Sequence, residues 1–328
     1  MTMPTAARIL GFLRSTPLLM ILCARVLGQQ LIFDTPESAR PLLTARDAFV
    51  ARLSPFDRAA RMKTNGIVTE TQFLEYVGAS VLEWGPAERK RIEAAYELIR
   101  PGLKRLGAPL PETVRLIKTS GREEGRAPYT RGNAIVLPES TVERPGANLG
   151  AILSHELFHI LSRANPALRD RLYAVIGFEP CGEVIHPVAL LDRRITNPDA
   201  PINAHAIAVE VGGEKLHAVP VLYSSAANYD VGRGGEFFTY LTLELLLVKR
   251  TAEGGHLVLE DASGPRLVPI EKVTGYHEQI GSNTGYIIHP EEVVADNFVL
   301  LVNGGRTAKS PDVLDRLRRV FEAAKSEP

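Results

Sequence analysis

A chain of 328 residues, 45% hydrophobic and 23% charged, has the makeup of a folded globular protein and can bury one large core or two smaller ones. Thirty-eight basic residues balance thirty-eight acidic ones, which excludes the strongly basic surface of a nucleic-acid binder. Only Cys23 and Cys181 are present, so no disulfide framework supports the fold.

At the start, Arg8 and Arg14 precede an apolar run at residues 17–24 that is too short to span a bilayer unaided. Val26-Leu27-Gly28 then offers small or modest side chains at a cleavage position. Residues 1–28 are therefore expected to be a secretory signal peptide, with Arg25 as its one unfavourable residue and an amphipathic helix as the alternative. Cleavage would remove Arg8, Arg14 and Arg25, take the net charge to −3, and leave a mature chain with no stable membrane span. The chain is then periplasmic or secreted; uncleaved, it is expected in the cytoplasm.

Residues 29–110 read as a helical N-terminal region, with the best segments at 45–53, 70–82 and 86–106. The charged run Glu88-Arg89-Lys90-Arg91 is a solvated helix face. From residue 111 to 328 a catalytic domain is expected, carrying a β-rich insertion at about 179–285. Its first strands are 114–119 and Asn133-Ala134-Ile135-Val136-Leu137-Pro138, the latter bounded by Gly132.

The next segment, 149–164, is an apolar helix closed by Asn165-Pro166, since a residue before proline leaves the α region. It contains His155-Glu156-Leu157-Phe158-His159. Histidines at i and i+4 share one helix face and can reach one metal ion, while the glutamate between them can approach a water beside that ion. This H-E-x-x-H pattern is the zincin signature: two zinc ligands and a general base. The plainer alternative is a pair of core histidines with hydrogen-bond partners. The metzincin continuation is absent, because Ser162 and Asn165 stand where glycine and histidine would be required.

A third ligand is needed. Glu179 follows His159 by twenty residues, but Pro180 and Gly182 break any helix that could hold it or Glu183 still. Further on, the loop Arg194-Ile195-Thr196-Asn197-Pro198-Asp199-Ala200-Pro201 is turn-forming and reads as plain surface, with the cleft as its alternative place. Strands are expected at 205–211, 216–223, 237–248 and 257–260; within them 239–248 also suits a core helix. The helix begun by Pro290 runs to residue 302 and sets Glu292 and Asp296 on one face. Glu292 is the preferred ligand because a metal site needs a rigid platform, with Asp296 receiving a ligating histidine's spare N–H. Glu291 is read as favouring the helix N-terminus. Residues 311–324 form a final amphipathic helix.

His-Glu-Leu-Phe-His at 155–159 followed by Glu-Val-Val-Ala-Asp at 292–296 resembles the gluzincin metallopeptidases, and the E-x-x-A-D form is similar to their CAAX-prenyl-protease-like branch. The resemblance covers two short helices. It implies His155, His159 and Glu292 as ligands of one Zn²⁺, Glu156 as base and Asp296 behind a ligand, in an α+β, zincin-like metallopeptidase core. In such cores an edge strand pairs with extended substrate, a role that falls here on Asn133, Ala134 and Ile135. The expected activity is hydrolysis of peptide bonds in a peptide or protein substrate, with Glu156 taking a proton from water. Tyr286, Tyr276, His277, His289 and Arg233 are candidates for stabilising the oxyanion, Tyr286 and His289 lying nearest Glu292 in sequence. The competing reading is a zinc-stabilised binding or scaffolding protein without turnover; a structural zinc, however, needs no base beside it.

Overall fold

The computed structural model describes residues 30–251 and 255–326, so the expected signal peptide at 1–28 lies outside the described residues. The first half runs β1 (Gln30–Phe33), α1 (Pro36–Leu43), α2 (Pro55–Arg61), α3 (Glu70–Gly78), β2 (Val81–Leu82), α4 (Pro86–Leu106), β3 (Thr113–Thr119), β4 (Tyr129–Arg131), β5 (Ala134–Pro138), α5 (Glu139–Glu143), α6 (Leu149–Ala164) and α7 (Pro166–Val175). The second half adds β6 (Phe178–Pro180), α8 (Val188–Leu191), β7 (His205–Val211), β8 (Glu214–Ser224), β9 (Leu241–Arg250), β10 (His256–Val258), β11 (Glu260–Asp261), β12 (Gly264–Pro265), β13 (Leu267–Val268), α9 (Tyr276–Ile280), α10 (Pro290–Val302) and α11 (Pro311–Ser326). The class is mixed α+β.

Local chemistry sets the helix ends. Ser54 and Asp57 form a reciprocal capping box at the start of α2, as Thr69 and Gln72 do at α3. Asn148 caps α6 by accepting from Ala151 N at 3.0 Å. Pro290 occupies the first turn of α10, and the His289 ring accepts from Glu291 N at 3.1 Å.

Two main sheets result. The first has order β1-β3-β5-β4 with β2 alongside β3; β1, β3 and β5 are parallel, and β4 runs antiparallel to β5. The second is an antiparallel sheet of order β10-β9-β8-β7-β6, with β13 on β9. Between them α4, α6, α10 and α11 share one core with residues of both sheets, including Leu116, Leu137, Leu157, Phe158, Leu245, Leu247, Phe298 and Phe321. Helix α10 comes close to α4 because Gly102 has no side chain: a Cβ there would stand 2.1 Å from Val302 O.

Several expectations are corrected. The boundary at residue 110 runs through one sheet, since β1 and β2 both pair with β3. Residues 45–53 form turns and a short 3₁₀ segment, Val50–Arg52, rather than a helix. The helix drawn over 70–82 stops at Gly78 because Val81–Leu82 is drawn into the sheet. Over 237–248, by contrast, the expected strand holds from Leu241 and the alternative core helix does not: a 3₁₀ turn leads into β9, whose Leu245 and Leu247 enter one buried cluster and Leu246 and Val248 another. Strand β5 is interior, with β3 on one side and β4 on the other; the edge is β4.

Candidate metal centre

Helices α6 and α10 pack face to face with opposite direction, so residues ascending on one meet residues descending on the other. His155 Nδ1–H donates to Asp296 Oδ1 at 2.9 Å, and one turn on, His159 Nδ1–H donates to Glu291 Oε1 at 2.9 Å. Between these two contacts Glu292 Oε2 stands 3.0 Å from His155 Nε2 and 3.6 Å from His159 Nε2. The i,i+4 spacing of His155 and His159 is matched by the i,i+4 spacing of Glu292 and Asp296, which is why the pairs register.

Each imidazole thus carries a carboxylate on Nδ1, which fixes the tautomer that turns the Nε2 lone pair towards Glu292. The ligand atoms of His155, His159 and Glu292 lie within 4.8 Å of one another. Ligands of a tetrahedral zinc ion, each at 2.0–2.1 Å from the metal, are about 3.3 Å apart, and the separations of 3.0 and 3.6 Å bracket that value. Nε2 of the fully buried His159 has no hydrogen-bond partner among the described residues. A buried ring nitrogen left so is costly unless something binds it. Two imidazoles and one carboxylate, backed by carboxylates, fit a zinc ion.

The electrostatics agree. Burial opposes charge on His155, but its hydrogen bonds to Asp296 and Glu292 outweigh burial and raise its pKa to about 11. His159 is likewise penalised by burial and raised to about 9 by the charges of Asp199 and Glu292 and the bond to Glu291. Glu292 is held down to about 2: burial works to raise it, and the two histidines prevail. The metal-free cluster therefore holds protons between carboxylates, and a divalent cation replaces them with the same sign of charge.

Glu156, which is 4% exposed, turns one buried oxygen, Oε2, that has no partner among the described residues. It lines a cavity of about 350 Å³ together with His155, Asp199, Tyr286, Glu292 and Asp296. Burial first, then the charge of Asp199, pushes its carboxyl up to about 8.

Sequence reasoning missed three participants. Glu291 is a support for His159, steadied by Ser162 Oγ at 2.6 Å and by the Tyr173 hydroxyl. The doubled acid at the start of α10 was the available signal, because neighbours 100° apart on a helix can both face one partner. Asn197 Nδ2 donates to Glu292 Oε1 at 2.6 Å, leaving Oε2 for the ion. Asp199 is the third, within 4.8 Å of a ring nitrogen of His159 and of a Glu156 oxygen. Both sit on the loop at 194–201, which lines the cleft and is not the plain surface loop its composition indicated.

That loop is gripped by the N-terminal helices. Asp57 Oδ2 accepts from Thr196 N at 3.0 Å, Arg61 Nη2 donates to Thr196 O at 3.0 Å, and Ser54 Oγ donates to Arg194 O at 2.7 Å. Arg61 is fully buried between Asp57 and Glu124.

The other expected residues fall as follows. Tyr286 is 42% exposed at the cleft mouth, its ring centroid 6.4 Å from that of His155. Partial burial and the charges of Glu292, Asp199 and Glu156 raise its phenol's pKa and keep it protonated. His289 is spent on the α10 cap, Tyr276 donates to Ile287 O, and Arg233 stacks on Tyr240. Tyr276, His277, His289 and Arg233 do not line the cavity beside the histidines. Glu179 is exposed on β6, in register with Ala206, and Glu183 pairs with Arg52; neither joins the cluster.

The substrate strand at Asn133, Ala134 and Ile135 is corrected: Ala134 and Ile135 pair with Arg115 and Leu116 on one side and Arg131 and Thr130 on the other. Asn133 O accepts from Arg115 N. The true edge, β4, is itself blunted. Thr130 N donates to Asp199 Oδ1 at 2.7 Å, Arg163 takes Gly132 O at 2.7 Å, and Pro128 carries no N–H. No described helix is long and apolar enough to cross a membrane. No protein-family model, curated protein or solved structure matches this chain.

Proposed function

We propose that this protein is a zinc-dependent metallopeptidase. The observation that carries the reading is the convergence of His155, His159 and Glu292 from two helices, with ligand atoms within 4.8 Å and a carboxylate behind each imidazole. The sheet with its antiparallel outer strand beside the histidine-bearing helix supports a zincin-like core. Bound at these three residues, zinc supplies Lewis acidity towards a peptide carbonyl.

The chain's own groups do the rest. Glu291 and Asp296 hold the imidazole planes and tautomers, and Asn197 keeps Glu292 presenting one oxygen. Glu156 lines the cavity with its Oε2 unpaired; it takes a proton from the attacking water and passes it to the leaving amine. Tyr286 donates its phenol proton to the developing oxyanion. Ile152 and Val299 give the cavity apolar wall beside the reacting groups.

The unpaired Glu156 favours turnover over a zinc-stabilised scaffold. Metal analysis with a peptide-cleavage assay tests it: about one zinc per chain and chelator-sensitive cleavage are expected. Glu156→Gln should keep the zinc and lose about 10²–10⁴-fold in rate. Zinc bound with no cleavage of any peptide would give the protein to the scaffold reading.

A further inference from the structure

We propose that the cleft is built for the amino-terminal end of a peptide, with Asp199 binding the α-ammonium group and the neighbouring apolar pocket holding the side chain of the first residue. The inference rests on the metallopeptidase reading and names its substrate class: peptides with a free amino terminus and a large apolar first residue, cleaved one residue at a time.

Three observations carry it. An extended substrate that ran through the cleft would pair with the outer strand, but that edge is closed. Thr130 N is taken by Asp199, Gly132 O by Arg163, and Pro128 has no donor. A chain can therefore enter and end here more readily than pass along β4. Second, Asp199 stands beside the metal ligands, where the two cavities meet. Its Oδ1 is anchored by Thr130 N and Oγ1, both at 2.7 Å, while its carboxylate lies within 4.8 Å of Glu156 and His159. The α-nitrogen of a first residue is two bonds, about 2.5 Å, from the carbonyl carbon to be attacked. A group that binds this nitrogen has to sit within a few ångströms of the metal ligands, as Asp199 does. Beside Glu156 the cavity gathers Asp199, Glu292 and Asp296, three carboxylates that one divalent cation does not neutralise, so a cation is the favoured guest. Glu156, which lines the cavity and whose buried Oε2 has no hydrogen-bond partner among the described residues, marks it as a ligand site and not merely an acidic surface.

Third, Asp199 and Tyr286 also line a second cavity of about 270 Å³, whose walls are Ile195, Leu222, Phe237, Phe238 and Leu241. Glu124 reaches it, but both its oxygens are engaged by Arg61. A side chain beside the amine enters an apolar chamber with room for an aromatic ring. In the reaction one water is consumed: a C–O bond forms at the first residue's carbonyl, its C–N bond to the second residue breaks, and the water proton ends on the released amine.

The test uses the zinc-loaded full chain and matched probes. Phenylalaninamide should bind 10–100-fold more tightly than N-acetylphenylalaninamide, roughly the worth of a charged hydrogen bond. Phenylalanyl-aminocoumarin should be cleaved with a similar advantage over its N-acetyl counterpart. Asp199→Asn keeps an acceptor for Thr130 and should erase the preference by raising KM for the free amine alone. Phe238→Ala, at a 44% exposed position, should raise KM for phenylalanyl over alanyl substrates. Equal affinity for the two amides overturns the inference. Cleavage of internal bonds in peptides blocked at both ends, with no gain from a free amine, overturns it while leaving the metallopeptidase reading in place. Zinc binding without cleavage of any peptide removes the metallopeptidase reading and the substrate assignment with it.

Discussion

Glu292 and Asp199 face one cleft from opposite kinds of support. Glu292 rides on α10, capped by His289 and packed on α6, so the backbone of one continuous helix fixes it relative to Glu291 and Asp296. Asp199 rides on a loop with no helix or strand of its own, held by side chains distant in sequence: Ser54 on Arg194 O, 140 residues away, and Thr130 and Arg163 on Asp199 itself. The helix provides precision through local hydrogen bonds; the loop borrows it from a buried ion network. The ligand side of the cleft should therefore be robust, and the substrate side should fail first.

Removing Glu292 is the largest expected effect. Glu292→Ala deletes one of three ligands and should lower zinc affinity by more than the roughly 100-fold typical of an outer support, whereas Glu179→Ala on exposed β6 should leave it unchanged. Competition against a chelator of known affinity reads both. The reverse pattern would return the third ligand to the 179–183 segment.

The loop side is broken through Arg61. Arg61→Met leaves Asp57 and Glu124 buried without their cation and should cost about 3–5 kcal/mol in denaturant unfolding. If the contrast between helix and loop holds, the variant at low temperature keeps its zinc but loses activity, because Asn197 and Asp199 are displaced while α6 and α10 are not. Zinc loss parallel to the activity loss would mean that the loop and the helices are one unit.

Within the helix pair the two supports can be ranked. Glu291→Gln and Asp296→Asn should each weaken zinc binding by about 10–100-fold. Glu291 should matter more, since His159 is fully buried and Glu291 also receives Ser162 and Tyr173, while the Asp296 side chain is 34% exposed. An equal loss, or a larger one at Asp296, would contradict that burial argument.

The same contrast explains what the sequence made legible. His155, Glu156, His159, Glu292 and Asp296 lie on helices, where spacing in sequence converts directly into position, so a period of 3.6 was sufficient to bring each set to one face. Only the packing of α6 on α10 had to be supplied. Asn197 and Asp199 have no periodicity to betray them, and their places depend on Asp57 and Arg61, a pairing no local pattern announces. Strand β5 was legible as a strand and misplaced as an edge. Period and composition identify a strand; its neighbours are set by how many other segments reach the sheet, and the short Tyr129–Arg131 had no signal beyond Pro128 before it. Residues 45–53 failed for a related reason. Asp47 accepts from Val50 N and pairs with Arg131, a turn and a tertiary contact that override the helical pattern.

The smallest effect concerns the start of α10. Burial, despite the charges of Glu291 and Glu292, lowers the pKa of His289 from 6.5 to about 4, and its neutral ring accepts from Glu291 N. A histidine depressed in the folded state takes up its proton on unfolding. The stability it allows is fully present above pH 6.5 and is lost as pH falls through the folded value near 4. His186, lowered to about 3 by burial and then by Arg194, acts in the same direction. His289→Asn retains an acceptor for the helix N-terminus but takes up no proton. Between pH 6.5 and 4 the metal-free variant should therefore lose stability less steeply than the parent, by up to about 1.4 kcal/mol per pH unit. Urea midpoints at pH 7, 5.5 and 4.5 measure the difference, with the urea dependence itself unchanged. Identical slopes would mean that His289 is already charged in the folded protein, and the cap of α10 would then have to come from a group other than its ring.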